Sequence, residues 1–161
     1  MPKLTDDELH TFLEEPGHLL RLGTLGVDGF PRVVPIWFMF DSGALWFTPR
    51  ARSAWLEDLR QNPAVCCTID ESSGLLRKLV ARGTAELIHD VGEDDEWRDR
   101  YRAITCRYVP ESFADAYLAD TVDEPRALYS LDLSSAETST WRMPGRGEDS
   151  LAVWSKSYYH R

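Results

Sequence analysis

Apolar residues along the chain follow two periods. After Thr5-Asp6-Asp7-Glu8, which has the form of a capping box, Leu9, Phe12 and Leu13 share one helical face, and Pro16-Gly17 ends that helix. From His18 the period shortens to two, predicting strands over 18–25, 31–40 and 44–48. Gly26-Val27-Asp28-Gly29 and Asp41-Ser42-Gly43 read as the tight turns between them, so the sheet is expected to begin as an antiparallel meander. A helix over 53–61, closed by Asn62-Pro63, precedes a fourth strand over 64–70 and a long fifth over 76–88. The segment 93–108 reads as a helix with Trp97, Tyr101, Ile104 and Tyr108 on one stripe, a core face by its spacing. A short helix over 111–119, strands over 126–133 and 137–142, and the aromatic tail VWSKSYYHR complete the chain. The pattern is mainly β (α+β), antiparallel, with peripheral helices in a single domain spanning 1–161.

The second strand, PRVVPIWFMF, departs from simple alternation. Val33, Trp37 and Met39 alternate with Val34, Ile36, Phe38 and Phe40, so both faces are apolar and both need covering, by a barrel interior and by a subunit or ligand. Pro35 cannot donate to a ladder, which predicts an edge or a bulge and a gap whose backbone groups a ligand could use.

Composition narrows the function classes. With 43% hydrophobic and 28% charged residues, the chain is that of a self-sufficient globular domain. A net charge of −9 argues against a nucleic-acid partner, which needs a basic face. No apolar run approaches the roughly 20 residues that cross a bilayer, and the acidic N-terminus has no signal-peptide core, so the expected location is the cytoplasm. Cys66, Cys67 and Cys106 form neither a disulfide framework nor a zinc motif, and the adjacent pair reads as small buried residues. His10, His18, His89 and His160 show no metal-binding spacing, so no metal is expected. P-loop, GxGxxG and GxSxG motifs are absent, and Asp94-Asp95 read as a solvated pair.

The candidate chemistry lies in FTPRARSAWLEDLRQNP, residues 47–63. Arg50 and Arg52 occupy a loop with no acid between Gly43 and Glu57, and Ser53 begins a helix. A helix N-terminus presents unpaired N–H groups, and arginines clamp phosphate oxygens in pairs. Thr48 adds a hydroxyl. The same residues also describe an ordinary helix start, with Ser53 as N-cap, the arginines in solvent, and Trp55 and Leu59 in the core.

The ordered run from His18 to Asp70 resembles the pyridoxamine 5'-phosphate oxidase-like split-barrel family: a D-G turn, VPIWF, a D-x-G turn, LWFT, a basic serine loop, LRQNP and a V-x-x-x-I-D strand, continuing into VARGTAEL at 80–87. The resemblance implies an antiparallel split β-barrel, a homodimer, and FMN, or in some branches a deazaflavin (coenzyme F-420) or haem, bound between subunits. By the same resemblance Val33, Val34, Pro35, Ile36, Trp37 and Phe38 run beside the flavin ring. Phe47 and Thr48, with the loop Arg50, Arg52, Ser53 and Trp55, lie near the phosphate, and Lys78 faces the flavin. Such loops commonly end Ser-Arg-Lys; here the sequence is Ser53-Ala54-Trp55, and an indole carries no charge for a phosphate. The implied function is an FMN-dependent oxidoreductase acting on an unknown small-molecule redox substrate. A deazaflavin-dependent reductase and a non-catalytic flavin- or haem-binding dimer are the alternatives. Only Lys3, Lys78 and Lys156 of the 18 basic residues are lysines, a bias of GC-rich genomes, with which the deazaflavin is associated. For haem, His160 is the one candidate axial ligand.

Overall fold

A computed structural model of the chain describes residues 2–148; the aromatic tail and His160 lie outside the described residues. The predicted capping box forms. Glu8 N donates to Thr5 Oγ1 at 3.2 Å and Thr5 N to Glu8 Oε2 at 2.8 Å, starting α1 (Asp6–Glu14).

The strand over 31–40 is two strands. β1 (Leu20–Leu25) pairs with β2 (Pro31–Ile36), but the chain breaks at Trp37-Phe38 and β3 (Met39–Asp41) joins another sheet with β4 (Ala44–Phe47). The expected meander is therefore divided. Pro35 does lie on an edge strand, where its missing N–H costs no ladder bond. After α2 (Ala54–Gln61) and β5 (Ala64–Asp70), the long fifth strand also divides, into β6 (Lys78–Thr84) and β7 (Glu86–His89), changing sheets at Ala85. A 3-10 turn (Asp94–Glu96) leads into α3 (Arg98–Cys106), then come α4 (Glu111–Asp120), β8 (Leu128–Asp132) and β9 (Glu137–Trp141). The large sheet has the order β2-β1-β5-β6-β9 and the small one β3-β4-β8-β7, all pairs antiparallel. Strands that pass from sheet to sheet make this a split-barrel-like fold.

Between the sheets, Leu20, Leu22, Ile69 and Leu79 meet Phe38, Leu45, Phe47 and Leu131 in one core, joined by Phe12 and Leu13 of α1 and Leu56 and Leu59 of α2. Trp97, Tyr101 and Leu118 form a second cluster with Leu128, so α3 and α4 cover the outer face of the small sheet. β8 is consequently buried on both faces from Leu128 to Leu131. The cysteine pair alternates with the pleat instead of sharing the core: Cys67 is buried and Cys66 exposed. Burial pushes the Cys67 thiol up to about 12.

The outer face of the large sheet has no cover within the described chain. Val33 on β2 is 66% exposed, and Phe30 and Val27 in the β1–β2 turn are exposed too. The inner side of the same strand, Val34 and Ile36, packs on the core. No helix among the described residues is long and apolar enough to cross a membrane.

Candidate functional site

Pairing between β4 and β8 does not stop at the strand ends. Ala127 N donates to Pro49 O at 3.0 Å and Ala51 N to Pro125 O at 2.8 Å, so Arg50 and Arg126 form an isolated antiparallel bridge. Two arginines far apart in sequence are thus side by side, an arrangement that costs energy unless negative charge answers it.

Both line a cavity of about 380 Å³. Leu19, Pro35, Ile36 and Trp37 form an apolar wall; Thr48, Ser53 and Trp55 come from the β4–α2 corner; Tyr101, Ile104 and Tyr117 come from α3 and α4. Arg126 is 7% exposed. Its Nη2 donates to Tyr117 Oη at 3.2 Å, its Nη1 lies 3.3 Å from Thr48 Oγ1, and its guanidinium covers the Tyr101 ring at 4.5 Å. Its Nε has no hydrogen-bond partner, and it forms no ion pair among the described residues. A buried cation without a carboxylate is costly and is the strongest single mark of an anion site here.

Arg50 Nη2 donates to the same Tyr117 oxygen at 2.9 Å. Burial alone would raise the Tyr117 pKa, but hydrogen bonds from Tyr101 and Arg50 and the charge of Arg126 bring it below its ordinary value. Burial drives Tyr101 the other way. The loop is less positive than its sequence implies. Glu124, more than seventy residues away, sets Oε2 3.1 Å from Arg50 Nε and also pairs with Arg52, which is largely in solvent. Ser53 stands at the N-cap of α2, yet its side chain makes no capping bond. Trp55 is buried, packs near Phe47 and also borders the cavity.

The residues singled out in the sequence divide into four groups. Pro35, Ile36, Trp37, Thr48, Arg50, Ser53 and Trp55 come together at the cavity. Val34, Phe38 and Phe47 belong to the core, Phe47 stacked on Tyr129 at 6.2 Å. Val33 and Lys78 are on the outer face of the large sheet, where Lys78 Nζ lies 4.9 Å from the Trp141 ring centroid. Arg52 is at the loop surface.

The backbone gap expected at Pro35 falls instead at 37–38, where protein fills it. Tyr108 Oη accepts from Phe38 N at 3.0 Å and donates to His18 O at 2.7 Å, while its ring stacks on Trp37 at 4.9 Å. Nor is Asp94 merely solvated, since its Oδ1 accepts from Arg126 N at 2.8 Å. Sequence reasoning missed Arg126, Tyr117, Tyr101 and Glu124. Arg126 looked like a strand start, and nothing local tied it to the Arg50 loop. Elsewhere, Glu15, His18 and Glu71 come close enough to share a cation, but Arg77 already serves both carboxylates, at 2.6 Å and 2.7 Å.

Known proteins agree with this architecture. A conserved hypothetical protein of Mycobacterium tuberculosis superposes with a TM-score of 0.67 at 20% identity, covering 91% of this chain and 92% of its own. An FAD- and haem-binding protein of Mycobacterium smegmatis gives 0.65 at 21%, covering 93% and 78%. A protein described as an F420 reductase gives 0.58 at 24%, covering 80% and 94%. No curated protein matches the chain. At these identities the superpositions speak for the fold. The family description pyridoxamine 5'-phosphate oxidase matches residues 5–138, which takes in both sheets almost entirely and every residue of the cavity, so the chain belongs to the pyridoxamine 5'-phosphate oxidase family.

Proposed function

We propose that this protein is an oxidoreductase that uses a flavin-type cofactor, FMN or the deazaflavin coenzyme F-420, and works as a homodimer on a small-molecule redox substrate. The observation that carries the reading is the buried guanidinium of Arg126, with no carboxylate partner among the described residues, in a cavity shared with Arg50, Thr48 and Ser53. Those four residues are the donors that a cofactor phosphate needs, and the uncapped Ser53 hydroxyl is available to it. When bound, a flavin-type ring supplies hydride transfer. The chain's part is to orient it and keep water away, tasks suited to the apolar wall of Pro35, Ile36 and Trp37. Relatives of the same fold carry names that include FAD binding and F420 reduction, which supports this class of cofactor. The uncovered outer face of the large sheet supports a second copy as the other boundary of the site, and would place Val33 and Lys78 at that boundary.

Fluorescence titration of the purified protein with FMN and with F-420 tests the reading. Quenching at micromolar concentration is expected for at least one, and loss of a charged donor in Arg126→Ala or Arg50→Ala should weaken it by roughly ten- to a hundredfold. No quenching by either cofactor overturns it. Binding without turnover of reduced cofactor would identify a carrier instead of an enzyme.

A further inference from the structure

We propose that the cavity is charge-matched to a phosphodiester, with one negative charge on its phosphate, and that Glu124 sets this preference. The inference rests on the cofactor reading above and narrows it.

Among the described residues, Arg50 and Arg126 are the two cations that line the cavity. Glu124 already answers one of them: its carboxylate is against Arg50 Nε at 3.1 Å and is only 26% exposed. Its second contact, Arg52, adds a positive charge at the loop surface; Asp94, which takes the Arg126 backbone N–H, adds a negative one. Counting all five groups, a single positive charge is left over, and it belongs to the guanidinium of Arg126. The other side chains that surround it, Thr48, Ser53 and the Tyr101–Tyr117 pair, offer hydroxyls, and among the described residues no lysine lines the cavity. They give hydrogen bonds without adding charge.

A phosphomonoester such as FMN carries about −1.5 to −2 at neutral pH. Buried here it would leave negative charge unanswered or force Glu124 out of its ion pair, and both outcomes cost affinity. A diester phosphate has one charge and fits beside an undisturbed Glu124. Among flavin-type cofactors the deazaflavin F-420 meets this condition, since its phosphate is esterified on both sides.

The test is fluorescence titration of the wild-type protein and of Glu124→Gln with F-420 and FMN, with thermal melting of both proteins to confirm the fold. The wild type should bind F-420 at least ~10-fold more tightly than FMN. Glu124→Gln, which frees the second guanidinium, should tighten FMN by about tenfold and change F-420 by less than about threefold. Comparing the two proteins cancels differences between the cofactor rings. A wild type that prefers FMN, or equal effects of Glu124→Gln on F-420 and FMN, overturns the inference while leaving the oxidoreductase reading intact. Binding of no cofactor overturns both.

Discussion

Arg126 is costly to keep. Its guanidinium is withdrawn from water with a tyrosine face, hydroxyls and a carbonyl around it but, among the described residues, no carboxylate. Replacing such a buried charge with an apolar side chain of similar length is often neutral or stabilising. Arg126→Met should therefore unfold in urea within about 1 kcal/mol of the wild type, while losing at least ~10-fold in cofactor affinity. A large loss of stability in that variant would mean that Arg126 is structural. Asp58 shows the opposite balance. It is buried at the α2–β1 contact, where it accepts from Thr24 Oγ1 at 2.8 Å and from Arg32 Nε at 2.7 Å. Burial works against its charge, but the bonds from Arg32 and Thr24 prevail and hold its pKa below the ordinary value. Asp58→Ala should cost about 2–4 kcal/mol, less than a fully buried pair because Arg32 is partly in water. Hydrogen bonds from Arg77 lower Glu15 and Glu71 in the same way. A carboxyl group with a depressed folded pKa stabilises fully above its unfolded pKa, and that contribution disappears as pH falls through the folded value. The melting temperature should stay level from pH 7 to about 5 and fall below about 4; a fall that begins above pH 5 would assign it to other groups.

At the scale of elements, the last turn of α3 and the residues after it tie the sheet break to α1. Arg107 donates to Leu13 O, Glu14 O and Glu15 O at 2.7–3.1 Å, satisfying the carbonyls that α1 leaves open. Tyr108 then bridges Phe38 N and His18 O, with burial raising its pKa so that the hydroxyl keeps its proton. Tyr108→Phe should cost about 1–3 kcal/mol in urea unfolding, because it strands a backbone donor and an acceptor, and should speed hydrogen exchange at Phe38. Unchanged exchange there would show that another group closes the break. These helices mark the limit of local pattern reading. The Trp97–Tyr101–Ile104 stripe marked a core face, and Trp97, Tyr101 and Ile104 are buried; the pattern could not say that Tyr101 and Ile104 also border the cavity. Nor could a period of two place the breaks at Trp37-Phe38 and Ala85, since apolar alternation continues through both while the hydrogen-bond partner changes.

For the molecule as a whole, the uneven treatment of the two sheets matters most. Among the described residues, the small sheet is covered on both sides and the large one on its inner side alone, which leaves Val33, Pro35 and the β1–β2 turn without cover there. If a second copy covers that face, Val33→Asp should convert a dimer to monomers in sedimentation velocity and lower cofactor affinity together. A wild type that sediments as a monomer would remove the partner from the proposed site.

Sequence alone determined which segments pair with water and which with the core. That decision depends on residue type and on periods of two or 3.6, both local properties. It therefore carried the extended segments, though not where two of them divide, the capped α1, an edge or bulge at Pro35 and the ordered run that marks the family. The tertiary structure decided where charge lies. Arg126 reaches Arg50 because β8 extends the pairing of β4, and Glu124 neutralises a loop that looks basic in isolation. Electrostatic energy depends on distance through space, which a one-dimensional pattern does not contain. The phosphate corner was legible as a possibility in 47–63, but its net charge, and with it the kind of phosphate it suits, exists only in the folded chain.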